Sequence, residues 1–144
     1  MQDKIEREVL IEAPVARVWD LVTVPGWWIN DGDPSVITRQ RDGDFDVVEH
    51  PKYGKYPVRL EKSEPPRYAA FRWASEFAGK EPVEGNSTLI EFTLTERDGG
   101  TVLRVVESGF ASLGVAEDAR AKAIEGNTDG WAQQLKVIAA LAVG

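Results

Sequence analysis

The sequence predicts an α+β fold in which a curved, seven-stranded antiparallel sheet wraps a long C-terminal helix, with two short helices after the first strand. Three observations predict it. Short alternating segments separated by turn residues occupy the chain from Pro34 to Glu107. The last quarter switches to a helical period. A lone strand-like segment, Ile5–Ile11, precedes both and is followed by the helix-spaced apolar residues Val15, Val18, Trp19 and Val22.

Each element has its own justification. Ala13-Pro14 stops the first strand, and Pro14 falls at the first turn of a helix over Val15–Val22. Pro25-Gly26 ends that helix, and a second short helix or turn carries Trp27, Trp28 and Ile29. Six further strands are expected at Ser35–Arg39, Asp44–His50, Tyr56–Ser63, Tyr68–Ser75, Thr88–Glu96 and Thr101–Glu107. The breaks between them (Arg41-Asp42-Gly43, Lys52-Tyr53-Gly54, Pro65-Pro66, Gly79–Gly85 and Asp98-Gly99-Gly100) supply turn dihedrals or interrupt a ladder. On a helical wheel, Ile124, Leu135, Ile138 and Ala142 lie within about 40° of Trp131. Lys122, Glu125, Asp129, Gln133 and Lys136 take the other side, so a helix from Glu117 to Ala142 is amphipathic. Gly126 and Gly130 flank the apolar stripe, each costing about 1 kcal/mol relative to alanine. Close approach of another element, or room for a ligand, would favour them.

Composition narrows the function. The 144 residues suit one domain, residues 1–144, large enough to hold itself together with a single core. There is no cysteine and one histidine, His50, which excludes disulfides, thiol chemistry and a multi-histidine metal centre. No metal or cofactor is expected. A formal charge of −7 argues against nucleic-acid binding. No apolar run reaches the ~20 residues of a membrane span, and the charged N-terminus does not resemble a signal peptide, so a cytoplasmic protein is expected. Phosphate-cradling glycine loops and nucleophile elbows are absent from the sequence. Asn86-Ser87-Thr88 begins a strand and matches a glycosylation acceptor only incidentally.

Several side chains have two readings each. Phe71 and Trp73 share a strand face with Ala69, as Phe92 does with Ile90 and Leu94; they pack the core or wall a pocket. Phe110 and Trp131 divide the same way, and Trp27-Trp28 sits where it would gate a pocket mouth. Asn127 and Arg120 fall on the apolar stripe of the last helix, where a polar group needs a partner. Asn127 either bonds nearby backbone or orients a ligand; Arg120 either reaches solvent or does the same. Glu107 is in register with inward Leu103 and Val105. It pairs with a basic residue at the sheet's end, or acts as an acid or base if burial favours its proton. His50, at a strand end before Pro51, is expected to be solvated, with a catalytic role as the alternative. Arg59 is expected on the outer face.

Four stretches carry a family resemblance: Ile11 to Trp19 (IEAPVARVW), Tyr68 to Trp73 (YAAFRW), Gly99 to Phe110 (GGTVLRVVESGF), and Gly130-Trp131 followed by Leu135. In that order they resemble the helix-grip superfamily (START-like, SRPBCC), which includes lipid-transfer domains, polyketide cyclases and the birch-pollen-allergen type. Within it the chain looks most like the group named after the activator of heat-shock protein 90 ATPase. The resemblance implies binding of a lipophilic small molecule between sheet and C-terminal helix, with Trp28, Phe71, Trp73, Phe92, Phe110, Arg120, Asn127 and Trp131 around it. Two alternatives come with it: a chaperone-activating module in a stress response, and a cyclase- or dehydratase-type enzyme using Glu107 or His50. Whether the chain is an enzyme is left open, leaning against, as is a homodimer. Trp131→Ala or Trp73→Ala is expected to abolish binding without unfolding.

Overall fold

The computed structural model describes residues 3–74, 77, 79–83 and 85–144. The strands are β1 (Lys4–Ile11), β2 (Thr38–Asp42), β3 (Phe45–His50), β4 (Gly54–Glu64), β5 (Tyr68–Trp73), β6 (Thr88–Arg97) and β7 (Gly100–Ser108); the helices are α1 (Val15–Val22) and α2 (Glu117–Val143). They form one antiparallel sheet in the order β1-β7-β6-β5-β4-β3-β2. Strands β2 to β7 are thus a simple meander, and β1 closes onto its far edge beside β7. A register shift between Leu60 and Lys62 interrupts the β4–β5 ladder, the kind of irregularity that bends a strand.

The apolar alternation decides which face is inside. Ala69 and Phe71 on β5, Ile90, Phe92 and Leu94 on β6, and Leu103 and Val105 on β7 are all buried. Along α2 the buried residues include Ile124, Trp131, Leu135, Ile138 and Ala142, the stripe the wheel assigns, while Lys122, Glu125, Asp129, Gln133 and Lys136 are exposed. Helix and sheet therefore cover each other's single apolar face. Helix α1 adds Val18 and Val22, both fully buried. Its Arg17 reaches across to the end of α2, where Nη2 donates to the Leu141 carbonyl at 3.0 Å. A cation there satisfies a terminal carbonyl and faces the negative end of the helix dipole.

Two turns depend on left-handed residues. Between β6 and β7, Asp98 (φ 50°) and Gly99 (φ 81°) are both left-handed, as a tight two-residue hairpin of matching twist requires. Gly26 (φ 70°) lies so close to β3 that an added Cβ would stand 2.5 Å from a Val48 methyl. The approach lets the following residues fold inward over the sheet.

Four expectations need correction. Trp27 to Ile29 form turns rather than a second α-helix, because Pro25 and the left-handed Gly26 break the helical path. The first meander strand is Thr38–Asp42, not Ser35–Arg39: Pro34–Val36 makes a 3-10 turn, with Asp33 Oδ1 accepting from the Ser35 amide at 3.0 Å and its hydroxyl at 2.6 Å. Strand β4 starts at Gly54, two residues early, and β5 ends at Trp73; Ser75, the expected end, lies outside the described residues. His50 is buried at 4 % exposure rather than solvated.

Candidate functional site

Near the end of β7, beside the edge strand β1, position 107 lies opposite Ile5 of β1 and Ile90 of β6. The two-residue period that turns Leu103 and Val105 inward turns Glu107 inward as well. Its side chain is fully buried. Four neutral groups donate to the carboxylate. Thr88 Oγ1 (2.6 Å) and Trp73 Nε1 (3.0 Å) reach Oε2; Trp131 Nε1 (2.9 Å) and Asn127 Nδ2 (3.1 Å) reach Oε1. Trp73 and Thr88 face each other across the β5–β6 ladder. Asn127 and Trp131, four residues apart, project from the same face of α2. One carboxylate thus ties three strands to the helix, through neutral donors rather than the basic partner considered from the sequence.

Burial pushes the Glu107 carboxyl up from its ordinary value, and the bonds from Thr88, Trp131, Trp73 and Asn127 pull the other way without cancelling it. The native protein therefore holds this proton more tightly than the unfolded chain does. The group's contribution to stability is present below the unfolded value of 4.5 and is lost as pH rises through the folded pKa. Subtracting the pH–stability profile of Glu107→Gln from that of the wild type should leave a difference that falls with pH above this value. A difference that grows with pH would contradict the raised pKa.

A cavity of about 200 Å³ opens beside this carboxylate. Its aromatic walls are Trp28, Tyr53, Tyr56, Trp73 and Trp131. Trp28 is the hub: its ring meets Trp73 edge-on at 5.7 Å and Trp131 at 6.0 Å, and packs on Phe71 (5.6 Å) and Phe92 (5.8 Å) behind it. Asn30, Gln133 and Gln134 line the side toward the turn after Trp28. Gln134 Nε2 donates to the Asn30 carbonyl at 2.8 Å, and Gln133 Nε2 to the Asp31 carbonyl at 3.1 Å, fastening that turn to α2. Gly126 and Gly130 supply the helix side of the opening, and an added Cβ at either would meet nothing within 4 Å. Open space, rather than close packing, thus adjoins these two glycines.

The structure divides the sequence-derived candidates. Trp28, Trp73, Asn127 and Trp131 line the cavity together with Glu107. Phe71 and Phe92 fill the core behind Trp28, and Phe110 is buried in the 3-10 turn after β7. Arg120 is half-buried on the first turns of α2, away from the cavity. Trp27 and Trp28 are 4 % and 5 % exposed, so they are wall and core rather than a gate. His50 lies behind Tyr53, its ring 4.6 Å from the tyrosine ring. Its Nδ1 accepts from the Lys52 amide at 3.0 Å, leaving Nε2 with the proton, buried and 3.9 Å from Asp31 Oδ1. Arg59 points outward and pairs with Glu61 at 2.7 Å. Sequence reasoning passes over Thr88, Asn30, Tyr53, Tyr56 and Gln134. Of these only Gln134 carries a signal, lying about 60° from Trp131 on the wheel. Among the described residues no cluster of three acidic or histidine side chains could hold a metal ion, and no helix is long and apolar enough to cross a membrane.

Solved structures share this architecture. Protein MLL2253 from Mesorhizobium loti superposes with a TM-score of 0.69 at 22% identity, over 96% of this chain and 95% of that one. Protein BH1534 from Bacillus halodurans gives 0.63 at 23% identity, over 95% and 97%. DynU16, a putative protein in the dynemicin biosynthetic locus, gives 0.62 at 21% identity, over 94% of this chain but 47% of that one. At such identities the likeness shows the fold. No curated protein matches the sequence. The model of the family described as activator of Hsp90 ATPase homolog 1-like protein matches residues 12–142, nearly the whole chain. With that match and the helix-grip architecture together, the chain belongs to the activator of Hsp90 ATPase homolog 1-like family.

Proposed function

We propose that the protein binds a small, largely apolar molecule of about one or two rings in the cavity between the sheet, the Trp28 turn and α2. The observation that carries this reading is the aromatic-walled space kept open by Gly126 and Gly130. At about 200 Å³ it exceeds the ~150 Å³ cavity that admits benzene and falls below the ~300–1,000 Å³ of drug-sized sites. That size favours a compact guest over a long-chain lipid. Naphthalene is a suitable probe. Titrated into the full chain and followed by tryptophan fluorescence, it should saturate with a Kd on the order of 10 μM. That is about −0.7 kcal/mol per carbon, inside the usual range of ligand efficiency. A fluorescence change that stays linear up to the solubility limit would remove the reading. Because Trp73 and Trp131 also hold Glu107, alanine at either position should lower stability along with binding. Fully truncating a buried tryptophan costs ~3–5 kcal/mol.

A second reading, a cyclase- or dehydratase-type enzyme, is favoured by Glu107, a carboxyl on the cavity wall whose affinity for a proton is raised by burial. It ranks behind binding because donors already occupy both oxygens. The reading requires turnover whose pH dependence disappears in Glu107→Gln. Activation of a chaperone's ATPase rests on the family name and is tested by adding the protein in excess to the chaperone and measuring ATP turnover.

A further inference from the structure

We infer that His50 is a positioning residue that holds the Tyr53 part of the cavity wall in place only while its ring is neutral, so that acid loosens this wall. For its effect on a guest the inference rests on the binding reading above; for the turn that carries Tyr53 it rests on His50 alone. His50 ends β3, and Pro51 to Tyr53 turn the chain back into β4. The ring is buried, and its Nδ1 accepts from two amides of that turn, Lys52 at 3.0 Å and Tyr53 at 3.4 Å. Asparagine shapes turns in the same way, through an oxygen bonded to Cγ, as Nδ1 is in histidine. Tyr53 lays its ring on the imidazole with 4.6 Å between centres, donates its hydroxyl to Asp31 Oδ2 at 3.3 Å, and lines the cavity. One lone pair on a buried ring thus fixes the turn that carries Tyr53.

That lone pair is what a proton takes. An imidazolium donates from both nitrogens, so protonation replaces the acceptor of two N–H groups by a third N–H facing them. Two attractions oppose the loss. Nε2, buried and without a partner in the neutral ring, lies 3.9 Å from Asp31 Oδ1, and the Tyr53 ring offers a cation its π face. Neither is strong here. The Asp31 side chain is half exposed, where water screens an ion pair. Lys52 Nζ already sits 5.2 Å from the centre of the same tyrosine ring, so a second positive charge gains little there. Among the described residues, Asp31 and Lys52 are the charged groups that meet the His50–Tyr53 pair. The balance favours release of the turn, and of Tyr53 with it, once His50 is charged. Glu107 also lines the cavity, so the test has to separate its proton from that of His50.

The test follows the backbone amide signals of Lys52 and Tyr53, and the ring signals of His50, in the wild-type chain from pH 8 to pH 5, where imidazoles change charge. Both amides should move along one curve with the imidazole. Amides that stay fixed over this range would overturn the inference, whether or not the cavity binds anything. Naphthalene has no titratable group, and its Kd should rise about three- to tenfold from pH 8 to pH 5, the scale of one net hydrogen bond. In His50→Asn, which keeps an acceptor for the turn and takes up no proton, that rise should vanish. His50→Ala, which has no acceptor, should bind at both pH values about as weakly as the wild type does at pH 5; both variants are checked for folding by circular dichroism. A rise of equal size in His50→Asn would assign the proton to Glu107 and overturn the inference, with the cavity reading intact. Naphthalene that fails to bind at pH 8 would remove the cavity reading, and the two amide signals would then decide the role of His50 by themselves.

Discussion

Glu107→Leu is expected to lower the unfolding free energy by about 3–5 kcal/mol, the range seen when one member of a buried polar pair is removed. The leucine is similar in size, so the loss is not mainly one of volume. It removes the common acceptor of Trp73, Trp131, Thr88 and Asn127, and each buried donor left unpaired costs about 1–3 kcal/mol. Relief from burying a carboxyl, and the leucine's own apolar burial, offset part of that sum. Glu107→Gln should lie between leucine and wild type. Its amide oxygen keeps two donors, its NH₂ can donate to the Thr88 hydroxyl, and one indole is left without an acceptor. For a chain of this length the leucine variant should melt roughly 10–20 °C lower. Urea unfolding with a loss under 1 kcal/mol would mean that Glu107 does not hold helix and sheet together.

The opposite sign is expected at the helix side of the cavity. Gly126→Ala and Gly130→Ala should each stabilise the protein by up to about 1 kcal/mol, since alanine is the better helix former and the new Cβ meets no neighbour. Gly130→Leu should keep part of that gain while placing a branched side chain in the opening. Naphthalene affinity should then fall by at least about a hundredfold. Stability and binding moving in opposite directions is what identifies a glycine kept for space. A destabilised Gly130→Ala would instead mean that the glycine serves packing, and unchanged binding in Gly130→Leu would place the entrance elsewhere.

Much of this arrangement is legible in the sequence, and the reasons are local. Trp131, Asn127 and the two glycines could be placed by helical period alone, and Glu107 by its step from Leu103 and Val105. What surrounds Glu107 was not legible, because its donors come from β5, β6 and α2, and strand period assigns a face but no partner. In the turn after α1 the closely spaced apolar residues suit a short helix as well as a turn, and the left-handed Gly26 decides for the turn. Strand β2 has no mark in the sequence, because Thr38–Asp42 is exposed along its whole length and lacks alternation. The burial of His50 has no local signal in the sequence, because its cover, the Tyr53 ring, is bent back over it by the turn before β4. The phenylalanines Phe71 and Phe92 have the same pattern as Trp73, and only the position of Trp28 separates core from wall.

The measurement that bears most directly on the binding cavity is an NMR titration of the indole N–H signals with naphthalene. Those of Trp28, Trp73 and Trp131 should shift together and saturate at one equivalent, while that of Trp19 on α1 stays in place. Shifts spread evenly over every tryptophan, or none before the probe precipitates, would contradict a binding cavity at Glu107.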